Sequence, residues 1–162
     1  MHRFANPTRV LKIAGAILPW SSGLTVILLI LGLYYALWDS PIDYQQKDSV
    51  RIMYLHVPAA FMSMGGYSLI AVASAVALIW RHPVADLTAK AAAPIGACFT
   101  FICLLTGSLW GQPTWGTWWV WDAKLPSVLL LFFLYLGYIA LWQAYDDPTR
   151  AGRAAAILAL VG

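Results

Sequence analysis

Long apolar runs separated by short polar segments constrain the fold of this chain more than any other feature of its sequence. The first run, Ile17 to Trp38, would make a helix of about 33 Å, enough to cross a hydrocarbon core of about 30 Å. Further spans are predicted over Ile52 to Trp80, Ala91 to Leu109 and Leu125 to Ala144. The last residues, AAAILALVG, predict the opening of another helix. We therefore expect an all-α polytopic membrane protein, a helical bundle of four complete transmembrane helices and the start of a fifth.

The composition supports a membrane protein and excludes other classes. Of the 162 residues, 61% are hydrophobic and 10% are charged, which is too apolar for a soluble domain. The formal net charge of +3 is spread over the polar segments, so the clustered basic face that nucleic-acid binding requires is missing. The spacing of Cys98 and Cys103 suits neither a redox motif nor a metal pair, so we expect both to be packing residues. Residues 1–162 are predicted to form a single transmembrane domain, whose first apolar run is retained as a span.

The distribution of Lys and Arg predicts which side of the membrane each polar segment faces. Cations are concentrated in the N-terminal segment and in residues 81–90 and 145–153, whereas residues 39–51 and 110–124 carry few. The positive-inside rule therefore assigns the N-terminus to the cytoplasm and the segments 39–51 and 110–124 to the outer side. The cations assigned to the cytoplasmic side are Arg3, Arg9, Lys12, Arg81, Lys90, Arg150 and Arg153, and those on the outer side are Lys47, Arg51 and Lys124.

The aromatic segment, residues 110–124, contains WGQPTWGTWWVWD, in which five of thirteen residues are tryptophan. Gly111, Pro113 and Gly116 predict a loop here rather than one regular helix. Tryptophan is common at headgroup depth in membrane proteins, so an interfacial belt is one interpretation. A shelf for a flat ligand is the other, because it needs broad ring faces and a backbone free to bring them together. The rings available for such a shelf are those of Trp110, Trp115, Trp118, Trp119 and Trp121.

Charged residues on the same side would complete such a shelf. A planar, mostly apolar ligand with a charged edge fits it, and haem is a candidate because Arg51 and Lys124 could hold its propionates. Asp122 would fix the loop by accepting hydrogen bonds from indole or backbone N–H groups, or it is an ordinary solvated acid. Composition alone leaves quinone and lipid headgroups open as ligands.

His56 lies in RIMYLHVPAA, on the predicted outer side and about 7.5 Å into the second helix. An ionisable residue at this depth is a functional candidate, and a neutral imidazole is a common axial ligand of haem iron. An interhelical hydrogen bond is the alternative role. His2 and His82 are predicted on the other side, as ordinary loop residues. His56 would therefore supply one axial position.

At these residues the sequence resembles the WWD family of haem-handling proteins, which share a tryptophan-rich periplasmic segment ending in Trp-Asp. Within that family RIMYLHVPAA, APIGACFTFICLLTGSLWGQPTWGTWWVWDAKL and LFFLYLGYIALW are similar to the CcmC group, and the similarity runs over essentially the whole chain. The resemblance implies six helices in the bacterial inner membrane, with the aromatic segment, as the WWD segment, in the periplasm. It also implies that this chain is truncated at its C-terminal side and lacks the family's second periplasmic histidine.

The resemblance further implies a function. The protein would bind haem b at the WWD segment with His56 as an axial ligand, and would assist covalent attachment of haem to the chaperone CcmE without being an enzyme. CcmA, CcmB and CcmD would be its partners, besides membrane lipid. Lys124 stands where the family more often has Arg, which keeps the charge and loses the bidentate fork.

Two other functions are compatible with parts of the sequence. A haem transporter through the bilayer would need polar groups lining the spans, and these are scarce. They are Ser63, Ser68, Ser74, Thr100 and Thr106. An electron-transfer cytochrome b usually needs paired histidines within the bundle, and only His56 is available. The sequence has no phosphate loop and no nucleophile paired with a base, so no hydrolytic activity is expected.

Overall fold

The computed structural model describes residues 6–162, which are mostly helical. The α-helices are α1 (Pro7–Tyr34), α2 (Met53–Trp80), α3 (Pro83–Trp115), α4 (Lys124–Ala144) and α5 (Pro148–Val161). The chain divides into a first compact unit that ends at Arg51 and a second that runs from Ile52 to Gly162. The single domain expected over residues 1–162 stays a prediction. The predicted roles of His2 and Arg3 fall outside the described residues.

In the part of the chain that the structure describes, four helical stretches are long and apolar enough to cross a membrane. They are Pro7–Asp39, Asp48–Trp80, Pro83–Trp115 and Lys124–Ala144. α5 would reach only about 21 Å, which is less than the hydrocarbon thickness of about 30 Å. Between residues 6 and 162 no β-strand forms, and the bridge between Asp43 and Lys47 is isolated. The chain is therefore an all-α multi-pass membrane protein, as its apolar runs predicted.

The first unit consists of α1 and the polar connection that follows it. Asn6 caps α1 by accepting a hydrogen bond from the N–H of Thr8 at 3.0 Å. Pro7 occupies the first helical position, where its missing N–H leaves no helical bond unmade. The helix continues as a π-helical turn over Tyr35–Asp39. The predicted span from Ile17 to Trp38 is thus part of a longer helical stretch.

The polar segment 81–90 is non-helical only at its first two residues, so the predicted loop is wrong. α3 already begins at Pro83, and Nδ1 of His82 accepts a hydrogen bond from the N–H of Ala85 at 3.2 Å. Because such a cap satisfies an amide that the helix leaves unpaired, the charged residues that follow remain helical. Arg81 makes the connection from α2 with a left-handed backbone, φ 51°.

The polar loop predicted over residues 145–153 is present at residues 145–147 and is wrong for residues 148–153, for the same reason. α5 begins at Pro148, and the carboxylate of Asp147 accepts a hydrogen bond from the N–H of Thr149 at 2.8 Å. A capped start with proline at the first helical position allows the helix to form ahead of its apolar residues. The opening of a fifth helix is confirmed, but it lies closer to α4 than the sequence indicated.

α3 also extends into the aromatic segment, so the loop predicted from Trp110 is wrong for residues 110–115. Pro113 lacks an N–H and removes one helical hydrogen bond, and the helix tolerates this loss close to its end. The helix ends at Gly116, whose φ of 75° lies in the left-handed region that glycine adopts readily. Its N–H still bonds to the carbonyl of Gln112 at 3.0 Å. The irregular part of the segment is therefore residues 116–123.

A tyrosine of α4 and a layer of small residues hold the second unit together. Tyr135 is fully buried, and its hydroxyl donates a hydrogen bond to the carbonyl of Ser63 in α2 at 2.7 Å. Its ring passes so close to Gly96 of α3 that a Cβ there would overlap it. The surrounding core is rich in small residues, which let membrane helices approach closely. Its alanines are Ala73, Ala89, Ala93, Ala97, Ala155 and Ala159.

Candidate functional site

A cavity of about 420 Å³ lies between α2, α3 and the start of α4, in the second unit. Its wall includes five residues that the sequence singled out: His56, Trp110, Trp115, Asp122 and Lys124. The rest of the lining is mostly apolar and consists of Ala60, Cys103, Leu104, Gly107, Thr114, Leu125 and Val128. The structure therefore brings a histidine, two tryptophans, an acid and a cation to one place.

α3 provides one wall of this cavity because its lining residues share a helical face. Cys103, Gly107, Trp110 and Thr114 follow one another at intervals of three or four residues. Residues at this spacing lie above one another on the same side of a helix. The continuation of α3 to Trp115 is what carries this face past the predicted end of the span.

The first turns of α2 and α4 supply the histidine and the charged residues. α2 begins at Met53, which puts His56 in its first turn. A carboxylate oxygen of Asp122 accepts hydrogen bonds from the backbone N–H groups of Lys124 at 2.9 Å and Leu125 at 3.1 Å. These amides would otherwise be unpaired at the start of α4. Of the roles considered for Asp122, bonding to backbone amides is the one observed.

His56 is held by contacts with α3. Its Nδ1 lies 3.0 Å from Oγ1 of Thr106, and its ring meets that of Trp110 edge to face with centroids 5.7 Å apart. The interhelical hydrogen bond that the sequence left open is therefore present. It uses Nδ1, one of the two ring nitrogens.

Glycine allows Trp115 to fold back onto its own helix. A Cβ at Gly111 would lie 3.2 Å from the Trp115 ring and 3.3 Å from the carbonyl oxygen of Thr117. Gly111 is buried beneath this ring, whereas Trp115 itself is 55% exposed. Gly111, which was one of the residues that predicted a loop, thus allows the Trp115 ring to pack closely against α3.

The other three predicted tryptophans do not line the cavity. Trp118 and Trp121 are largely exposed, and Trp119 meets Trp121 edge to face with ring centroids 5.6 Å apart. The carbonyl of Trp118 accepts a hydrogen bond from the hydroxyl of Ser108 at 2.6 Å, which ties the irregular residues back to α3. Five tryptophans in one segment therefore do not form one continuous shelf.

Arg51 belongs to the first unit. Its guanidinium lies 3.6 Å from the carboxylate of Asp48 and donates a hydrogen bond to the carbonyl of Ser40 at 3.3 Å. Both contacts lie within that unit. The role of Arg51 towards a ligand stays a prediction.

Sequence reasoning missed two residues of α3 that hold the site together. Thr106, considered only as a polar group along a span, bonds to His56, and Gly107 leaves room for the imidazole, since a Cβ there would lie 3.0 Å from its Cε1. The signal was available in the spacing, because Thr106 stands four residues before Trp110 on one helical face. Cys103 is buried, as expected for a packing residue, while Cys98 is exposed.

A comparison with known protein families matches the whole chain. The family model described as CcmC, Heme exporter protein C, covers residues 1–162. The chain belongs to the CcmC family. This confirms the resemblance drawn from the motifs around His56 and the aromatic segment.

Individual members of the CcmC family are similar over nearly the entire chain, and each of the following is named Heme exporter protein C. The relative from Bradyrhizobium diazoefficiens is 60% identical over 158 residues, which are 98% of this chain and 60% of the relative. The relative from Escherichia coli K12 is 54% identical over 162 residues, 100% of this chain and 66% of its own length. The relative from Haemophilus influenzae is 49% identical over 160 residues, which are 99% of this chain and 65% of the relative. The chain thus spans 60 to 66% of the length of these CcmC relatives.

Proposed function

We propose that this protein binds haem at the periplasmic end of its transmembrane helices and assists the transfer of haem to the chaperone CcmE during cytochrome c maturation. The observation that carries the proposal is the cavity in which His56, Trp110, Trp115 and Lys124 come together. The name of the relatives, Heme exporter protein C, supports a role in haem handling.

The residues of the cavity match the chemistry of haem in three respects. Imidazole nitrogen is an axial ligand of haem iron, and His56 is the histidine in the cavity wall. The rings of Trp110 and Trp115 offer apolar faces to a flat macrocycle. Lys124 offers a positive charge to a propionate. We propose haem b as the form bound.

The remaining residues of the aromatic segment support this site. Asp122 fixes the start of α4 and thereby the backbone of Lys124. The exposed rings of Trp118 and Trp121, with Trp119 between them, are proposed to cover the outward face of the ligand. Because these rings are exposed, they could move aside when the ligand passes to another protein.

We further propose that the protein is an assembly factor of the bacterial inner membrane and not an enzyme. CcmE would be the acceptor of haem, and CcmA, CcmB and CcmD would be its partners. The cavity lies at the opposite end of the second unit from Arg81 and Arg153, and the positive-inside rule supports a cytoplasmic position for those cations. The same rule supports a periplasmic position for the cavity.

Transport of haem through the bilayer is the alternative function, and three of the buried hydroxyl groups in the spans do not favour it. Ser63, Thr100 and Thr106 each donate a hydrogen bond to a carbonyl of their own helix. Their hydrogens are therefore occupied and offer no donor to a polar path across the membrane. Delivery of haem from one side of the membrane is the simpler function, because it needs no polar path across the bilayer.

The proposal is tested with the intact protein, purified in detergent together with CcmE. The haem absorption spectrum and the yield of haem-loaded CcmE are compared for the wild type, His56→Ala and Trp115→Ala. We expect His56→Ala to lose the native spectrum and the loading, and Trp115→Ala to reduce both. His82→Ala and Trp20→Ala are the matched controls, because neither residue lines the cavity. A wild-type spectrum and yield in His56→Ala would overturn the proposed ligand.

A further inference from the structure

The hydrogen bond between His56 and Thr106 joins two helices at the centre of the proposed site. Nδ1 of His56, in α2, lies 3.0 Å from Oγ1 of Thr106, in α3. A neutral imidazole carries one proton, on either Nδ1 or Nε2, and only the nitrogen without the proton can bind a metal. The direction of this hydrogen bond therefore decides which nitrogen of His56 is a ligand.

The surroundings of Thr106 determine that direction. A hydroxyl group has one hydrogen to donate and two lone pairs that accept. Oγ1 of Thr106 lies 2.7 Å from the carbonyl oxygen of Ile102, one turn back in the same helix, and 3.3 Å from that of Cys103. Because the single hydrogen is directed to these carbonyls, the hydroxyl presents a lone pair to His56. Nδ1 must then carry the proton and donate it, which leaves Nε2 unprotonated.

Two neighbours keep the ring in the orientation that this bond requires. A Cβ at Gly107 would lie 3.0 Å from Cε1 and 3.5 Å from Nδ1 of His56, so the absence of a side chain there lets the imidazole approach α3. The Trp110 ring meets the imidazole edge to face, at an interplanar angle of 61°. The ring is thus restrained by a hydrogen bond, a close backbone approach and an aromatic contact.

We propose that Thr106 is a positioning residue, which holds His56 in the tautomer protonated at Nδ1 so that Nε2 is the nitrogen available to iron. The part that concerns iron rests on the proposed function, whereas the tautomer is a property of the polypeptide alone. Histidines that bind metals generally donate their second N–H to a neighbouring acceptor, which fixes the tautomer and orients the ring. Here the acceptor is a hydroxyl whose own hydrogen is already used by the helix backbone.

The first test measures the tautomer without haem. The intact protein, labelled with ¹⁵N in its histidines, is compared with Thr106→Val, which keeps the shape and removes the hydroxyl, and with Thr106→Ser, which keeps the hydroxyl. The His56 signals are assigned from their loss in His56→Ala. We expect protonated Nδ1 in the wild type and in Thr106→Ser, and a shift towards protonated Nε2 in Thr106→Val. Protonated Nε2 in the wild type, or an unchanged tautomer in Thr106→Val, would overturn the inference.

The second test measures haem binding by the same variants. We expect Thr106→Val to bind haem about 10- to 100-fold more weakly, the usual effect of removing the partner of a metal-binding histidine, and Thr106→Ser to regain most of the affinity. Equal losses in both variants would mean that the threonine methyl group matters, which contradicts positioning through the hydroxyl. Thermal unfolding of each variant shows whether the fold is retained.

His56→Ala separates this inference from the proposed function. If His56→Ala binds haem like the wild type, the proposed ligand is wrong, while the tautomer measurement still decides the role of Thr106 in the polypeptide. If His56→Ala loses haem and Thr106→Val does not, the ligand stands and the positioning role is overturned. If haem binding is lost in His56→Ala and in Thr106→Val and recovers in Thr106→Ser, the result supports both the proposed ligand and the positioning role.

Discussion

The two ends of the second unit each have a cavity with one histidine in its wall, and the surroundings of the two histidines differ. The cavity of about 420 Å³ at one end contains His56 among tryptophan rings, with Lys124 and Asp122. The cavity of about 380 Å³ at the other end contains His82 beside Arg81 and other polar residues. The two cavities are thus similar in volume and each contains a histidine, but the residues around the two histidines differ in chemistry.

The proposed hydrogen bond of His56 and the observed one of His82 run in opposite directions. Nδ1 of His82 accepts a hydrogen bond from the backbone N–H of Ala85, so the proton of the neutral ring is on Nε2. In the tautomer proposed for His56, Nδ1 donates to Oγ1 of Thr106, 3.0 Å away, and Nε2 is unprotonated. The comparison teaches that the group bonded to Nδ1 distinguishes the two roles: His82 caps a helix, and His56 is a candidate metal ligand.

The largest effect is expected from a substitution in the core on which both ends depend. Gly96→Ala would force a methyl group into the ring of Tyr135, and the ring cannot move without breaking its bond to Ser63. We expect a loss of about 3 kcal/mol or more in the free energy of unfolding, at the upper end of what overpacking costs. The measurement is unfolding of the purified protein in detergent, followed by circular dichroism.

Gly65→Ala is the control for this prediction. Gly65 is also in a membrane-spanning helix, and a Cβ there would meet nothing within 4 Å. We expect unchanged stability or a gain of up to about 1 kcal/mol, the helix propensity difference between glycine and alanine. Equal stability of Gly96→Ala and Gly65→Ala would show that the close approach of Gly96 to the Tyr135 ring is not needed for stability.

A smaller effect is expected at the end that contains His82. His82→Ala removes the acceptor for the N–H of Ala85 and should lower the free energy of unfolding by about 1 kcal/mol, as loss of a helix cap does. His82→Asn should retain most of that stability, because asparagine is a good cap. The haem spectrum should stay that of the wild type in both variants. A changed spectrum would remove the distinction between the two histidines.

The smallest effect is expected from the charges. Lys124→Gln should weaken haem binding about two- to fivefold at low salt, because a partly exposed ion pair contributes little and is screened by salt. Arg153→Gln, a cation at the other end, should leave the affinity unchanged. Haem titrations at two salt concentrations measure both. An equal loss in the two variants would indicate a general effect of net charge rather than a contact with Lys124.

The sequence predicted the membrane spans well and the helix ends poorly. The spans expected from Ile52 and from Leu125 begin within a residue of α2 and α4, because long apolar runs leave little choice inside a membrane. Residues 81–90 and 110–115 were expected to be loops because they contain charges, glycine and proline. Local caps overrode this composition, at His82 for the start of α3 and at Gly116 for its end.

The residue types of the site were predictable, but their arrangement was not. His56, Trp110 and Lys124 were candidate functional residues on the expected outer side, and they line one cavity. The orientation of Trp118 and Trp121 depends on the turn that follows Gly116, and a count of tryptophans contains no information about that turn. The contact of Thr106 with His56 was not predicted, because a threonine within a span usually bonds to its own helix, which it also does here.

α3 has a consequence for insertions and deletions in this protein. It runs without interruption for 33 residues, about 50 Å, from the cap at His82 to the ring of Trp115. One residue added near its middle would turn one end relative to the other by about 100° and advance it by about 1.5 Å. Thr106 and Trp110 would then leave the side on which His56 stands, although no residue of either cavity had changed. The length of α3 between its two ends is therefore as much a part of the site as the side chains are.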